Sequence, residues 1–179
     1  MSENALEVWT IGHSTRPIEE LIAALRSFKI KILVDVRTYP SSRRYPQFNR
    51  EQLKVSLAEA GIKYLHFPAL GGRRNARPAS LNMAWRNKMF RGYADYMETD
   101  EFHTGIAGLV EVAKAGRTAI MCAEAVWWRC HRSLISDYLK AKGVEVKHIM
   151  AAGKSEVHPF TSAARIVNGE LSYRGILEG

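Results

Sequence analysis

Six residues have types and positions suited to acid–base or nucleophilic chemistry: His13, Asp35, Cys122, Glu124, Cys130 and His131. Asp35 stands inside the apolar segment IKILVDV, where a carboxylate is costly without a partner, and Arg37 lies on the same face of an extended strand. Asp35 or Glu124 is the candidate general base, activating water or orienting His13, and His131 is the candidate general acid. Glu124 stands beside Trp127 and Trp128, whose rings would desolvate it and suit it to that work. Cys122 or Cys130 is the candidate nucleophile for a covalent route. Cys130 opens the basic helix start Cys130-His131-Arg132, a setting that favours the reactive thiolate.

Anion-holding groups accompany these residues. Gly12-His13-Ser14-Thr15 leads into a helix, whose N–H groups and dipole attract anions. Arg37, Arg43 and Arg132 would join Gly12 and Ser14 in holding phosphate. The segment 37–48 alternates arginine with hydroxyls and aromatics, including Ser42, Arg43, Arg44 and Tyr45. Arginine forks match phosphate oxygens, and aromatic faces stack on bases. Gly71-Gly72-Arg73-Arg74-Asn75-Ala76-Arg77 repeats the theme. No helix-turn-helix, RNA-recognition or zinc-finger signature accompanies it, so base-specific readout has no support. The spacing C-x7-C-H is not a common zinc pattern, and neither metal nor cofactor is expected.

Charge placement agrees. The chain of 179 residues carries +8, yet residues 37–91 hold nine Arg and three Lys against Glu51 and Glu59, a net of +10, and the remainder nets −2. Such a concentration attracts an anionic partner, most commonly nucleic acid. At 46% hydrophobic and 25% charged residues the composition is that of a globular domain. It excludes a disordered tail, a collagen-like repeat and a disulfide-rich miniprotein. No apolar run approaches the roughly 18 residues of a membrane helix. Met1 to Leu6 reads as neither a secretory signal nor a transit peptide. With two cysteines, that places the chain in a reducing, cytoplasmic compartment.

The elements that must position these groups follow from period and punctuation. Strands are expected at Leu6–Ile11, Ile30–Val36, Ile62–Phe67, Arg117–Cys122 and Val144–Met150, the last turning out its polar group at His148. Helices are expected from Pro17 to Phe28, from Asn49 as cap to Ala60, near 81–97 and 104–115, and over Cys130–Lys142. Ser14 or Thr15 would cap the first. Ala164–Val167, Asn168–Gly169 and Glu170–Tyr173 read as a hairpin. Strands alternating with helices predict a single three-layer α/β/α domain over 1–179, with a core at 6–150, a mostly parallel sheet of about five strands, and a C-terminal extension carrying the hairpin. In open α/β sheets ligands bind outside the carboxyl ends of the strands, where Gly12–Ser14, Asp35 and Arg37, His66, Cys122–Glu124 and His148 would form one row.

Thr10-Ile11-Gly12-His13-Ser14, Asp35-Val36-Arg37 with Pro40, Ser42, Arg43 and Pro46, and Cys122-Ala123-Glu124 with Cys130-His131-Arg132 together resemble the family called domain of unknown function 488. The resemblance runs from about Val8 to Met150 and takes in His158-Pro159-Phe160. It implies a compact single-domain α/β protein of bacterial or archaeal type, points toward nucleic acid, and implies no reaction. The leading expectation is an enzyme of hydrolase or lyase type acting on a phosphate-bearing substrate, a nucleic acid or nucleotide. The alternatives are a non-catalytic nucleic-acid-binding module and a thiol-dependent or redox protein using Cys122 and Cys130.

Overall fold

The computed structural model describes residues 5–175. The segment Met1–Asn4, on which part of the reading against a targeting signal rests, lies outside them. The parallel strands β1 (Glu7–Gly12), β2 (Ile32–Asp35), β3 (Lys63–His66), β4 (Thr118–Cys122) and β5 (Glu145–Ala151) stand in the order β3-β2-β4-β1-β5. This is the mostly parallel α/β class that the alternation of elements predicts. A sixth strand, β6 (Lys154–Val157), pairs antiparallel with β5 and carries four exposed residues. A half-solvated edge strand has no apolar alternation to give it away, and so the sequence reading omits it.

Strand alternation divides the core in two. Trp9, Ile11, Leu33, Ala119 and Met121 turn to helices α1 (Ile18–Ser27) and α2 (Arg50–Glu59), meeting Leu21, Leu25, Leu53 and Leu57. Val8, Val34, Val36, Ile120 and Cys122 turn to α3 (Lys88–Tyr96), α4 (Asp100–Ala115) and α5 (Arg132–Ala141), meeting Tyr93, Phe102, Leu109, Leu134 and Ile135. The expected helix near 81–97 shortens to Lys88–Tyr96 because the Asn87 side chain accepts from the N–H groups of Met89 and Phe90 and so starts it late. Neither Ser14 nor Thr15 caps α1; Pro17 stands at its N-cap with no side-chain bond. The hairpin forms as expected, β7 (Arg165–Val167) and β8 (Glu170–Ser172) being joined by Asn168 and Gly169 at φ 53° and 80°. Among the described residues no helix is long and apolar enough to cross a membrane.

The pairing of β1 with β4 continues beyond the strands. His13 N–H donates to the Cys122 carbonyl at 2.9 Å and Ser14 N–H to the Ala123 carbonyl at 3.0 Å. The β4–α5 connection therefore folds back tightly over the end of β1, and Gly12 is what lets it. A Cβ there would run into the Glu124 carbonyl oxygen and lie 2.9 Å from Arg132 Nη2. Gly12→Ala is accordingly expected to cost about 1–3 kcal/mol, the usual range for overpacking. Urea unfolding measures it, and a midpoint equal to wild type would show that the connection has room to give.

Candidate active site

A cleft of about 670 Å³ opens at the carboxyl ends of β1, β2 and β4. It is lined by His13, Ser14, Arg37, Ser42, Arg44, Cys122, Glu124, Cys130 and His131, and also by Tyr39, Arg73, Phe90 and Arg129. The opposite strand ends carry a solvated rim in which Glu7 meets Lys147 at 3.1 Å and Arg117 at 3.6 Å. Strand-end convergence thus brings most of the candidate residues together. Asp35, Gly12, Arg43 and Arg132 are not among the lining residues.

Asp35 lies directly beneath. It is wholly buried and takes Arg37 Nη2 at 2.7 Å, Arg37 Nε at 2.9 Å and the Tyr64 hydroxyl at 2.5 Å. Burial and then the bond to Asp35 push the Tyr64 hydroxyl up, keeping it a neutral donor. The Asp35–Arg37 pairing expected from their two-residue spacing is present, and it leaves the carboxylate facing its partners rather than the cleft. Arg37 spends another N–H on the Phe48 carbonyl at 2.8 Å.

His13 stacks on Phe48, with centroids 4.3 Å apart, and its Nδ1 lies 2.9 Å from the Ser14 carbonyl. Burial pushes its pKa down to about 4, so the ring is neutral near pH 7. His131 packs against Gly72, and its Nε2–H donates to the Val36 carbonyl at 2.9 Å. Burial lowers its pKa also.

Cys122 ends β4 and Cys130 precedes α5, and their sulfurs lie 2.8 Å apart. Both are free thiols. Arg132, 1% exposed, reaches over them from the first turn of α5: its Nε stands 3.0 Å from Cys122 Sγ and 3.3 Å from Cys130 Sγ. The Arg132 backbone N–H donates to Cys130 Sγ at 3.2 Å. Nη1 donates to Thr10 Oγ at 3.1 Å and Nη2 to the Glu124 carbonyl at 2.7 Å. Among the described residues no carboxylate bonds this guanidinium.

That arrangement sets the thiols apart. Burial raises the Cys130 pKa, but the hydrogen bond from Cys122 and the charge and N–H groups of Arg132 outweigh it and bring it down to about 7. Burial and the bond to Cys130 push the Cys122 thiol well up. The opposite shifts favour keeping the proton on Cys122, whose Sγ has both Cys130 Sγ at 2.8 Å and the Glu124 carbonyl at 3.7 Å as acceptors. Burial disfavours the Arg132 charge, and the two sulfurs more than offset that.

Several expectations are corrected. Arg132 does not face the cleft as a phosphate ligand; its N–H groups are spent on sulfur, Thr10 and the Glu124 carbonyl. The Gly12–Ser14 turn presents no free N–H at residues 13 and 14, since both are bonded to β4-side carbonyls. Glu124 is exposed rather than desolvated, because Trp127 turns inward to stack on His148 at 4.5 Å and Trp128 stays half exposed. Arg43 is exposed and absent from the lining, while Arg44 beside it takes part. His148 is a buried mid-strand residue rather than part of the rim. Among the described residues no group of three or more His, Cys, Asp or Glu side chains is placed to hold a metal ion.

A family model described as Domain of unknown function DUF488 matches residues 17–139. The chain belongs to that family. The DUF488 match covers Asp35, Arg37, Cys122, Glu124, Cys130, His131 and Arg132; Thr10-Ile11-Gly12-His13-Ser14 and His158-Pro159-Phe160 lie outside it. Comparison with curated proteins and with solved structures returned no match.

Sequence reasoning named Thr10 and His158 only within the family resemblance, with no role, and passed over Tyr64 and Asp137. For Asp137 a signal existed: it sits among Leu134, Ile135 and Leu139 on the buried side of α5, just as Asp35 sits in an apolar strand.

The buried histidines make stability depend on pH. His13 has a folded pKa below its unfolded 6.5, so its neutral form is free of penalty above pH 6.5, and stability is lost as pH falls through that value toward about 4. His148, pushed to about 2 by burial, His158 and Arg132, contributes with the same sign. Urea midpoints of wild type and His13→Gln, compared between pH 7 and 4.5, should show a shallower loss in the variant. Parallel curves would place the His13 ring in a more hydrated setting than its packing on Phe48 implies.

Proposed function

We propose that this chain is an enzyme acting on a phosphate-bearing substrate, a nucleotide or nucleic acid, with the Cys130 thiolate as its nucleophile, in a reducing, cytoplasmic setting. The observation that carries the reading is the buried Arg132 guanidinium, which has sulfur where a carboxylate would ordinarily stand. A buried cation of this kind favours a thiolate over a thiol at neutral pH. The place of Cys130 in the lining of an arginine-rich cleft supplies the rest. Arg44, Arg73 and Arg129 line the opening against Glu124 alone. Tyr39, 66% exposed, and Phe90 offer flat faces beside them, and Arg73 lies 5.4 Å from the Tyr39 ring centroid. Charge and ring together suit a phosphate bearing a planar group.

In this mechanism the Cys130 sulfur attacks phosphorus, the bond to the leaving oxygen breaks, and that oxygen takes a proton from solvent. Water then hydrolyses the S–P bond, returning the thiolate and giving a proton back to solvent. Arg37, fixed by Asp35, and Arg44 hold the non-bridging oxygens. His13, neutral and hydrogen-bonded at Nδ1, is placed on the β1 side of the same opening to orient water.

A second reading has its own support: two free thiols 2.8 Å apart suit reversible dithiol–disulfide chemistry.

Turnover on a panel of nucleotides, oligonucleotides and simple phosphomonoesters and diesters decides between the two. The account expects Cys130→Ser to lose at least about a hundredfold in kcat. Arg44→Ala with Arg73→Ala should act mainly by raising KM. Turnover unchanged in Cys130→Ser would contradict the nucleophile assignment. Loss of function confined to oxidised or reduced protein, with no dependence on Arg44 and Arg73, would favour the dithiol reading.

A further inference from the structure

The guanidinium that faces the thiols also begins a continuous string of buried hydrogen bonds leading away from the cleft. Arg132 Nη1 donates to Thr10 Oγ at 3.1 Å. Thr10 Oγ lies 2.6 Å from His148 Nδ1, His148 Nε2 lies 2.8 Å from His158 Nδ1, and His158 Nε2 lies 2.8 Å from Asp137 Oδ1. All four of these residues are at most 2% exposed. Asp137 is further held by the hydroxyls of Thr161 and Tyr173, at 2.5 Å and 2.7 Å, and by the Thr161 N–H at 3.0 Å. No Lys or Arg bonds Asp137 and no carboxylate bonds Arg132 among the described residues. Two buried ions of opposite sign are therefore joined only through Thr10, His148 and His158.

With His148 and His158 each carrying a single ring proton, the donors and acceptors of this string allow one polarity. A carboxylate can only accept, so His158 carries its proton on Nε2 and presents Nδ1 as acceptor. His148 must then donate through Nε2 and accept at Nδ1. Thr10 in turn gives its hydroxyl proton to His148 and keeps a lone pair for Arg132. Every link points from the cation to the anion, an arrangement in which neighbouring bonds polarise one another. Trp127 stacks on His148 and meets His158 edge-on, which closes the string to water.

We propose that Thr10, His148, His158 and Asp137 are positioning residues: they fix the plane of Arg132 so that its Nε bridges the Cys122 and Cys130 sulfurs. The proposal rests on the reading of Cys130 as the nucleophile and extends its support to the strand edge and C-terminal segment. Without the lone pair of Thr10, Nη1 loses its buried acceptor, and the guanidinium, then anchored beyond the sulfurs only through Nη2 on the backbone carbonyls of the β4–α5 connection, can tilt away from them. The groups facing Cys130 are then Cys122 from β4, Tyr93 from α3, and His131 and Arg132 at the start of α5. Of these, only Arg132 is touched by the string.

The test is the pH profile of Cys130 alkylation by iodoacetamide, followed on the Cys130 peptide by mass spectrometry. Wild type, Thr10→Val, Thr10→Ser and His158→Phe are compared as full chains, with folding checked by circular dichroism. Thr10→Val keeps the shape and removes the hydroxyl; it should move the inflection upward, and one unit would slow alkylation at pH 7 about fivefold. Thr10→Ser restores the hydroxyl and should restore the wild-type profile. His158→Phe should shift the inflection in the same direction as Thr10→Val. A near-neutral wild-type inflection that Thr10→Val leaves in place would overturn the proposal while the nucleophile reading stands. A wild type with no near-neutral inflection would instead overturn the nucleophile reading. Movement in Thr10→Val without movement in a folded His158→Phe would overturn the string beyond Thr10. If His158→Phe does not fold, the Thr10 pair decides.

Discussion

The site depends on a single buried cation. Arg132 is withdrawn from water, and a guanidinium so placed must find negative charge or carbonyl oxygen for its N–H groups. It finds the Glu124 carbonyl, the Thr10 hydroxyl and two sulfurs. Because no carboxylate bonds it among the described residues, ionising Cys130 is what neutralises it at contact distance. The same attraction that stabilises the core at this point lowers the proton affinity of a thiol. Stability and reactivity are thus one interaction seen from its two partners.

The rest of the architecture can be understood as what that interaction demands. Parallel β1 and β4 place Thr10 and Cys122 on the same face of the sheet, and the continued pairing through His13 and Ser14 draws the following connection down over Gly12. Only a residue without a side chain lets the Glu124 carbonyl and Arg132 approach that closely. On the neighbouring strand Asp35 and Arg37 make a second buried ion pair, complete in itself, which stiffens the opposite wall of the cleft. The two arginines differ in consequence: Arg37 gives Nε and Nη2 to a carboxylate and a carbonyl and turns Nη1 toward His13 in the cleft lining, whereas Arg132 has thiols.

Much of this was legible in the chain. Alternating apolar segments and helical periods fix the α/β class, and residues at strand ends converge as open sheets require. Asp35 and Arg37 were recognisable as a pair because two residues in a strand share a face. What escaped was set by distance. Thr10 is an ordinary strand residue until His148, 138 positions later, comes to lie against it. His158 and Asp137 meet through a segment beyond the last parallel strand, whose edge strand β6 has no apolar pattern. Arg132 and the Gly12–Ser14 turn looked like anion ligands because helix starts usually are; the back-folded connection, which spends their donors internally, has no local signature. Glu124 looked desolvated because two tryptophans follow it, but Trp127 turns inward onto a histidine that the sequence places far away.

The most direct measure of the central claim is the ultraviolet thiolate absorbance of the native chain as pH is raised, set beside that of Cys130→Ser. The account predicts a step worth one thiolate centred near 7, absent from the variant, with Cys122 adding nothing until well into the alkaline range. A first thiolate that appears only around the free-cysteine value of about 8.5, or a neutral step that survives in Cys130→Ser, would contradict it.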